Sequence, residues 1–379
     1  MSSTTITSRP VGVWIALGLA ACLAWGRPCA AQGRNMARPA VAKPDLSRLT
    51  PEKLQTLNGH RQDVWRLAFN PREPSILVSC GDDSQVITWD LQTGRPMEEV
   101  KILDHKVRDL AFDETGRFFA VATTNPWEGG FSGLLRIRDA AEGTMVEIKS
   151  LQRWTFRSVA VDPKGVWMAA GGDSRALRVW KLARPVVVPD DRGEPKLSYF
   201  ELPTPPALPN EILTVDVHGG RQNPIIAVGG KEGMLKVFKI KNDRLIETPI
   251  TTADAPGEMR SVKFHPQADF LATGGASGVV RLWDLDKGTP TQRFDAQAMG
   301  VNDMAFSPDG SLLAVAHDSG HIRLWDIETG KEVAKLEAHK GGALAVAFSR
   351  DGRSLATGGR DFSVSVWRLF PIEARKKKS

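Results

Sequence analysis

Catalysis by side chains needs a clustered nucleophile, base or metal set, and this sequence offers few candidates. Its 379 residues hold seven histidines, three cysteines and one tyrosine. There is no P-loop, no zinc-type pairing of Cys or His and no nucleophile elbow. His317 and His321 flank a turn around Asp318, but a hairpin supplies no fixed third ligand, so no metal site is expected there. His105 falls in a loop, and His218 and His265 fall in turns that follow short strands, where solvated side chains are expected. The residues therefore predict a chain that is not an enzyme and that needs no metal or cofactor.

Cys22 has a different chemistry open to it. Arg9 precedes an apolar run from Val11 to Trp25, and a polar stretch then leads to Cys29, Ala30, Ala31 and Gln32. That order has the charge, length and small-residue exit of a secretory signal. A cut after Ala31 removes residues 1–31. The alternative cut lies at Leu19-Ala20-Ala21-Cys22, which resembles a bacterial lipobox and would leave Cys22 acylated as a lipid anchor. The run is shorter than the roughly 20 apolar residues that a bilayer helix needs, which argues against an uncleaved anchor. Export to a periplasm or cell envelope is the expectation. Residues 32–51, rich in Ala, Pro and Arg, read as a flexible spacer, and Cys80 is the one thiol of the body, so no internal disulfide is expected.

Charge narrows the partners. The formal net charge is +6, of which the leader, the spacer and the basic tail 372–379 carry +2, +3 and +3, leaving −2 for the body 52–371. A body close to neutral does not predict nucleic-acid binding. The Lys376, Lys377 and Lys378 run reads as a solvated tail.

The elements that must carry any site emerge from internal repetition. Trp89-Asp90, Trp283-Asp284 and Trp325-Asp326 each close a short alternating apolar run, as do Trp180-Lys181 and Trp367-Arg368. Upstream, Phe69, Phe112, Val161, Val217, Phe264, Phe306 and Phe348 align in a second column, with steps of 43, 49, 56, 47, 42 and 42 residues. Each of these seven copies reads as strands joined by turns, and no window supports a long helix. In the sixth copy Val301 to Phe306 alternates, Ser307-Pro308-Asp309-Gly310 signals a turn, and His321 to Trp325 alternates again.

With these residues in view, the segment from 53 to about 370 resembles the Trp-Asp repeat family, in an exported bacterial form. The resemblance implies an all-β, seven-bladed propeller of four-stranded antiparallel blades, spanning 52–371. It also implies ring closure by an N-terminal strand, for which Lys53 to Leu57 is placed. In the family a His, a Ser or Thr, an Asp and the repeat Trp form a hydrogen-bonded tetrad. His60, Ser79, Asp83 and Trp89 match it in the first copy, and His339, Thr357, Asp361 and Trp367 in the seventh. The other five depart from it: Arg138 and Phe238 replace the Trp in the second and fourth, and the third, fifth and sixth lack the His and the Asp.

In that family the residue four before the aligned column opens the inner strand at the upper rim of the central channel and often contacts partners. Here those residues are Trp65, Arg108, Arg157, Leu213, Arg260, Asn302 and Leu344. Two positions earlier, Lys106 adds a cation that Asp63 offsets. Trp127, Trp154, Phe131 and Arg153 are assigned to the same face of blades two and three. The expected partner-binding set is thus Trp65, Lys106, Arg108, Trp127, Phe131, Arg153, Trp154, Arg157 and Arg260, since aromatic and Arg residues dominate interface hot spots. The competing expectation is that the rings pack beneath their own loops and the arginines pair with Asp82 or Asp173. An insertion from Leu182 to Glu211 is expected to form a lower-face turn, an outer strand at Lys196 to Leu202, and an extended ridge held by Pro203, Pro205, Pro206 and Pro209.

Two functions follow from that implied face. The first is a scaffold, monomeric as a ring, that binds protein partners with acidic or extended segments and meets a membrane only through its leader or lipid. The second is recognition of a glycan or small ligand at the channel mouth.

Overall fold

The computed structural model describes residues 45–370, apart from 103–104, 126–134, 140–144, 149–154, 190–194, 220–223, 251–256 and 296–299. The described strands form seven four-stranded antiparallel sheets, the blades of a propeller. In blade one the strands are Val64–Phe69, Ile76–Gly81, Gln85–Asp90 and Arg95–Lys101, running from the inner to the outer position. The second strands are buried on both faces, as Ile225–Gly230 and Leu312–His317 show, so they read as continuous runs of small and apolar residues. Outer strands such as Arg95–Lys101 are largely exposed, and their polar residues follow from that.

A blade cannot bury its own faces, and the core is divided accordingly. Each buried apolar cluster lies between two adjacent blades. One joins Phe156, Met168 and Trp180 of blade three to Phe118 and Ile137 of blade two. Another joins Met304 and Leu313 of blade six to Val280 and Phe294 of blade five. The aligned Trp column fills these seams: Trp89, Trp180 and Trp283 are each 1% exposed.

The ring closes through the N-terminal strand. Glu52–Asn58 pairs antiparallel with Ser363–Arg368, completing blade seven, with Leu57 opposite Val364 and a register shift between Lys53 and Gln55. Leu57 is buried in the seam of blades seven and one with Val64, Trp89, Val364 and Val366. Leu54, at the register shift, is 47% exposed. The seal therefore rests on Leu57, whose burial contributes roughly 1.5–3 kcal/mol.

Two local expectations need correction. The insertion after Leu182 is not a turn up to Pro195: the third strand of blade three continues over Arg178–Pro189 and pairs with Pro195–Glu201. Pro185 falls in the irregular stretch between Leu182 and Val187, and proline within sheets is confined to edges, strand starts and such irregularities. His265 is not solvated. Its Nε2 lies 3.1 Å from the Gly310 carbonyl, its Nδ1 accepts the Ala268 N–H at 2.8 Å, and its ring packs on Phe270 and Phe306. It caps the turn after the inner strand, as Ser307 does in blade six, and burial pushes its pKa down.

Candidate functional site: the channel mouth

The residues four before the aligned column converge because of a repeated backbone irregularity. In six inner strands the pairing slips by one residue at this position: between Val64 and Arg66, Val107 and Asp109, Ile212 and Thr214, Met259 and Ser261, Val301 and Asp303, and Ala343 and Ala345. The extra residue of such a bulge leaves the ladder and its side chain is re-aimed. Those extra residues are Trp65, Arg108, Leu213, Arg260, Asn302 and Leu344, and Arg157 precedes its strand in blade three. All seven line one cavity of about 380 Å³.

Its charge is layered. Arg66, Arg108, Arg157, Lys231, Arg260 and Arg360 line the cavity, with Glu258 as the acidic residue among them. Apart from Glu258, the carboxylates that pair with them lie outside the lining. Asp82 takes Lys106 Nζ and Arg108 Nη1, each at 2.9 Å, and Asp173 takes Arg157. Arg260 reaches Glu258 at 3.3 Å, Asp318 at 3.2 Å and the Asn302 side-chain oxygen at 3.1 Å. Lys231 Nζ lies 2.8 Å from Glu211. Burial holds the Arg108 pKa below its ordinary value despite Asp82, and the nearby Arg157 charge adds to that. The Arg108 guanidinium also lies 4.8 Å from the Trp65 ring centroid, a cation–π contact. Trp65 is half-buried and its indole N–H has no hydrogen-bond partner among the described residues.

Arg108 pairs with Asp82 and Arg157 with Asp173, the pairings that the competing expectation names for the arginines, and Lys106 also meets Asp82. Trp127, Phe131, Arg153 and Trp154 lie outside the described residues, as do Cys22, the leader and the basic tail. Both tetrads are assembled. His60 Nδ1 is 2.9 Å from Asp83, its Nε2 is 2.8 Å from Ser79 Oγ, and Trp89 donates to that hydroxyl at 2.8 Å. His339 Nδ1 is 2.9 Å from Asp361, its Nε2 is 2.8 Å from Thr357 Oγ1, and Trp367 donates at 3.4 Å. Burial pushes the Asp83 and Asp361 carboxyls up, but the His hydrogen bonds and the N–H donors of Arg61 and Lys340 outweigh it and hold Asp83 below the usual range and Asp361 well below it. In blade two Arg138, in the Trp column, is buried and pairs with Glu98.

One set of residues lies a single position deeper and escaped the columns read from the sequence. Arg66 Nε is 2.8 Å from Asp109, and its Nη1 is 2.5 Å from Asp303. Asp109 belongs to blade two and Asp303 to blade six, so Arg66 of blade one spans the seventh blade, which has Ala345 at the equivalent position. Asp109 also accepts from Ser158 Oγ at 2.6 Å and from the Val159 N–H, while Asp303 accepts from Ser261 and the Val346 N–H. Burial opposes the Arg66 charge, but the two carboxylates overcome that and push its pKa up. The signal was present one place along the same alignment: a cation in blade one and anions in blades two and six, at a position that holds Ser, Thr or Ala in the other four blades.

No group of three or more His, Cys, Asp and Glu among the described residues is arranged to hold a metal ion. A further cavity of about 650 Å³ opens among the turns that follow the inner strands, lined by Arg72, Glu114, Lys164 and Arg350, with Arg350 3.6 Å from Glu114.

Residues 51–90, 148–181 and 247–284 match the model of the WD domain, G-beta repeat, and residues 295–351 match the anaphase-promoting complex subunit 4 WD40 domain. These segments skip most of blades two and four, the two whose Trp column holds Arg138 and Phe238. Similar proteins include the nuclear distribution protein nudF of Aspergillus niger, 25% identical over 244 residues that cover 62% of this chain and 52% of that one. The nudF of Emericella nidulans is 24% identical over 285 residues, covering 62% of each. A probable cytosolic iron-sulfur protein assembly protein, Ciao1 of Culex quinquefasciatus, is 39% identical over 74 residues, 18% of this chain and 22% of that one. The chain spans between about a fifth and three fifths of the length of these relatives. It carries WD40 repeats on a seven-bladed propeller.

Proposed function

We propose that this WD40-repeat propeller is a non-enzymatic, exported scaffold that holds protein partners on its upper face, through acidic or extended segments that enter the channel mouth. WD40 propellers are generally interaction scaffolds rather than catalysts, and the observation that carries the finer reading is the layering of charge. Six cations line the cavity with one carboxylate, Glu258, and the other paired carboxylates lie outside the lining, so an incoming carboxylate meets guanidinium groups that are already oriented. A glycan reading fits less well, because the Arg108 guanidinium occupies a face of Trp65 on which a sugar would stack. The cell-envelope setting rests on the leader pattern at Arg9 to Gln32.

The test is affinity capture from separate envelope and cytosolic fractions of the native cells, with the wild-type chain and with the Trp65→Ala, Arg157→Ala double variant. Capture of an envelope protein that the double variant no longer binds, with little change in melting, is the expected result. Neither residue belongs to a tetrad. Equal capture by both chains overturns the site, and partners drawn only from the cytosol overturn the setting.

A further inference from the structure

We propose that Phe362 and Arg360, on the upper turn of blade seven, form the anchor of this face, and that the segment they receive carries a large apolar side chain next to an acidic one. This rests on the upper face being the partner site and narrows it to one turn.

Blades three, five, six and seven close the turn between their second and third strands with the same backbone hydrogen bond. Arg175 donates to Gly172, Gly278 to Gly275, Gly320 to His317 and Phe362 to Gly359, at 3.0–3.3 Å. The donor has a positive φ in every case: 61°, 71°, 83° and 65°. Glycine adopts this conformation freely, whereas a bulky side chain is strained in it. Blades five and six use glycine, blade three arginine and blade seven phenylalanine, the one ring among them. Burial does not repay the strain, because Phe362 is 44% exposed. Strained backbone positions cluster at active sites and ligand clamps, and here the strained residue displays an apolar ring to solvent.

The chemistry beside it sets the partner. Arg360 lines the mouth cavity, and its side chain is 48% exposed. Its carboxylate neighbour, Asp318, lies 3.9 Å away and already holds Arg260 at 3.2 Å. Asp361, between the two, is taken up by the tetrad. The turn therefore carries an exposed ring two residues from a guanidinium that shares Asp318 with Arg260, and an apolar side chain adjacent to a carboxylate complements both.

A displayed library of random octapeptides, panned against the full chain, tests this. Selected sequences should pair Asp or Glu with a neighbouring Leu, Ile, Phe or Trp. The selected pool should bind the Phe362→Gly variant at least tenfold more weakly, although relief of strain raises that variant's melting temperature by about 2–4 °C. Phe362→Leu should retain most of the binding. A pool without acidic residues, no enrichment, or equal binding to Phe362→Gly overturns the proposal, and a Phe362→Gly chain that melts lower than wild type removes the strain on which it stands. If Phe362→Gly binds normally while the Trp65, Arg157 double variant does not, the anchor fails and the upper-face reading survives.

Discussion

The first and seventh blades hold together differently from the blades between them. At the closing seam two complete tetrads, a strand borrowed from the other end of the body and the Arg66 bridge supplement the apolar contacts. Midway round the ring the polar devices thin out. Trp283 keeps a hydrogen bond to Thr273 at 2.8 Å, whereas the indole N–H groups of Trp180 and Trp325 have no partner among the described residues. Middle blades follow one another along the chain, so a short connection brings each to its neighbour. Blades seven and one must meet across the whole sequence, and directional bonds are concentrated where chain connectivity gives least help.

The largest effect should come from removing the borrowed strand. A chain starting at residue 59 leaves blade seven with an open edge and uncovers the Leu57 seam, so cooperative melting should give way to aggregation, whereas a chain starting at residue 49 should melt almost as wild type. Equal melting of the two truncations would break the comparison at its root.

Next in size is the bridge. Arg66→Ala leaves Asp109 and Asp303 buried without their counter-charge, and denaturant unfolding should show a loss of about 3–5 kcal/mol. A cost below about 1 kcal/mol would mean that the bridge does not staple the seam.

The smallest effect concerns the tetrads and is visible in pH. Asp361 has its folded pKa held down, so its contribution is present above the unfolded carboxylate value of about 4 and is lost as pH falls towards the folded value. Asp361→Asn should therefore lower the melting temperature at pH 7, and the gap to wild type should narrow at pH 3. A gap independent of pH would assign the loss to packing alone.

The fold was legible because one physical demand is repeated: each inter-blade seam needs the same apolar and Trp columns, and repetition exposes them. Ring closure came from the family resemblance, which implies that an N-terminal strand completes the last blade, and Lys53 to Leu57 is placed to supply it. The mouth column was legible as a column, but its charge state was not, because the sequence does not say whether Arg108 and Arg157 face a partner or Asp82 and Asp173. His265 was misread for want of Phe306 and Gly310 of the next blade, which bury and bind it only once the ring is assembled. Arg66 was missed because a charge inside a strand pattern reads as a solvated face until closure brings Asp303 to it. Phe362 could not be singled out, because an exposed ring carries meaning here only with its φ known.

Pairing Glu52 with Arg368 also sets a clock for biosynthesis. The two residues are 316 positions apart, so at roughly 5–20 residues per second the first strand waits on the order of 15–60 s for its partner to leave the ribosome. For that interval Leu57 and an unpaired strand edge stand exposed, open to the strands of a neighbouring nascent chain. On a polysome, the ring can seal correctly only if its first strand has been kept from a stranger's last blade.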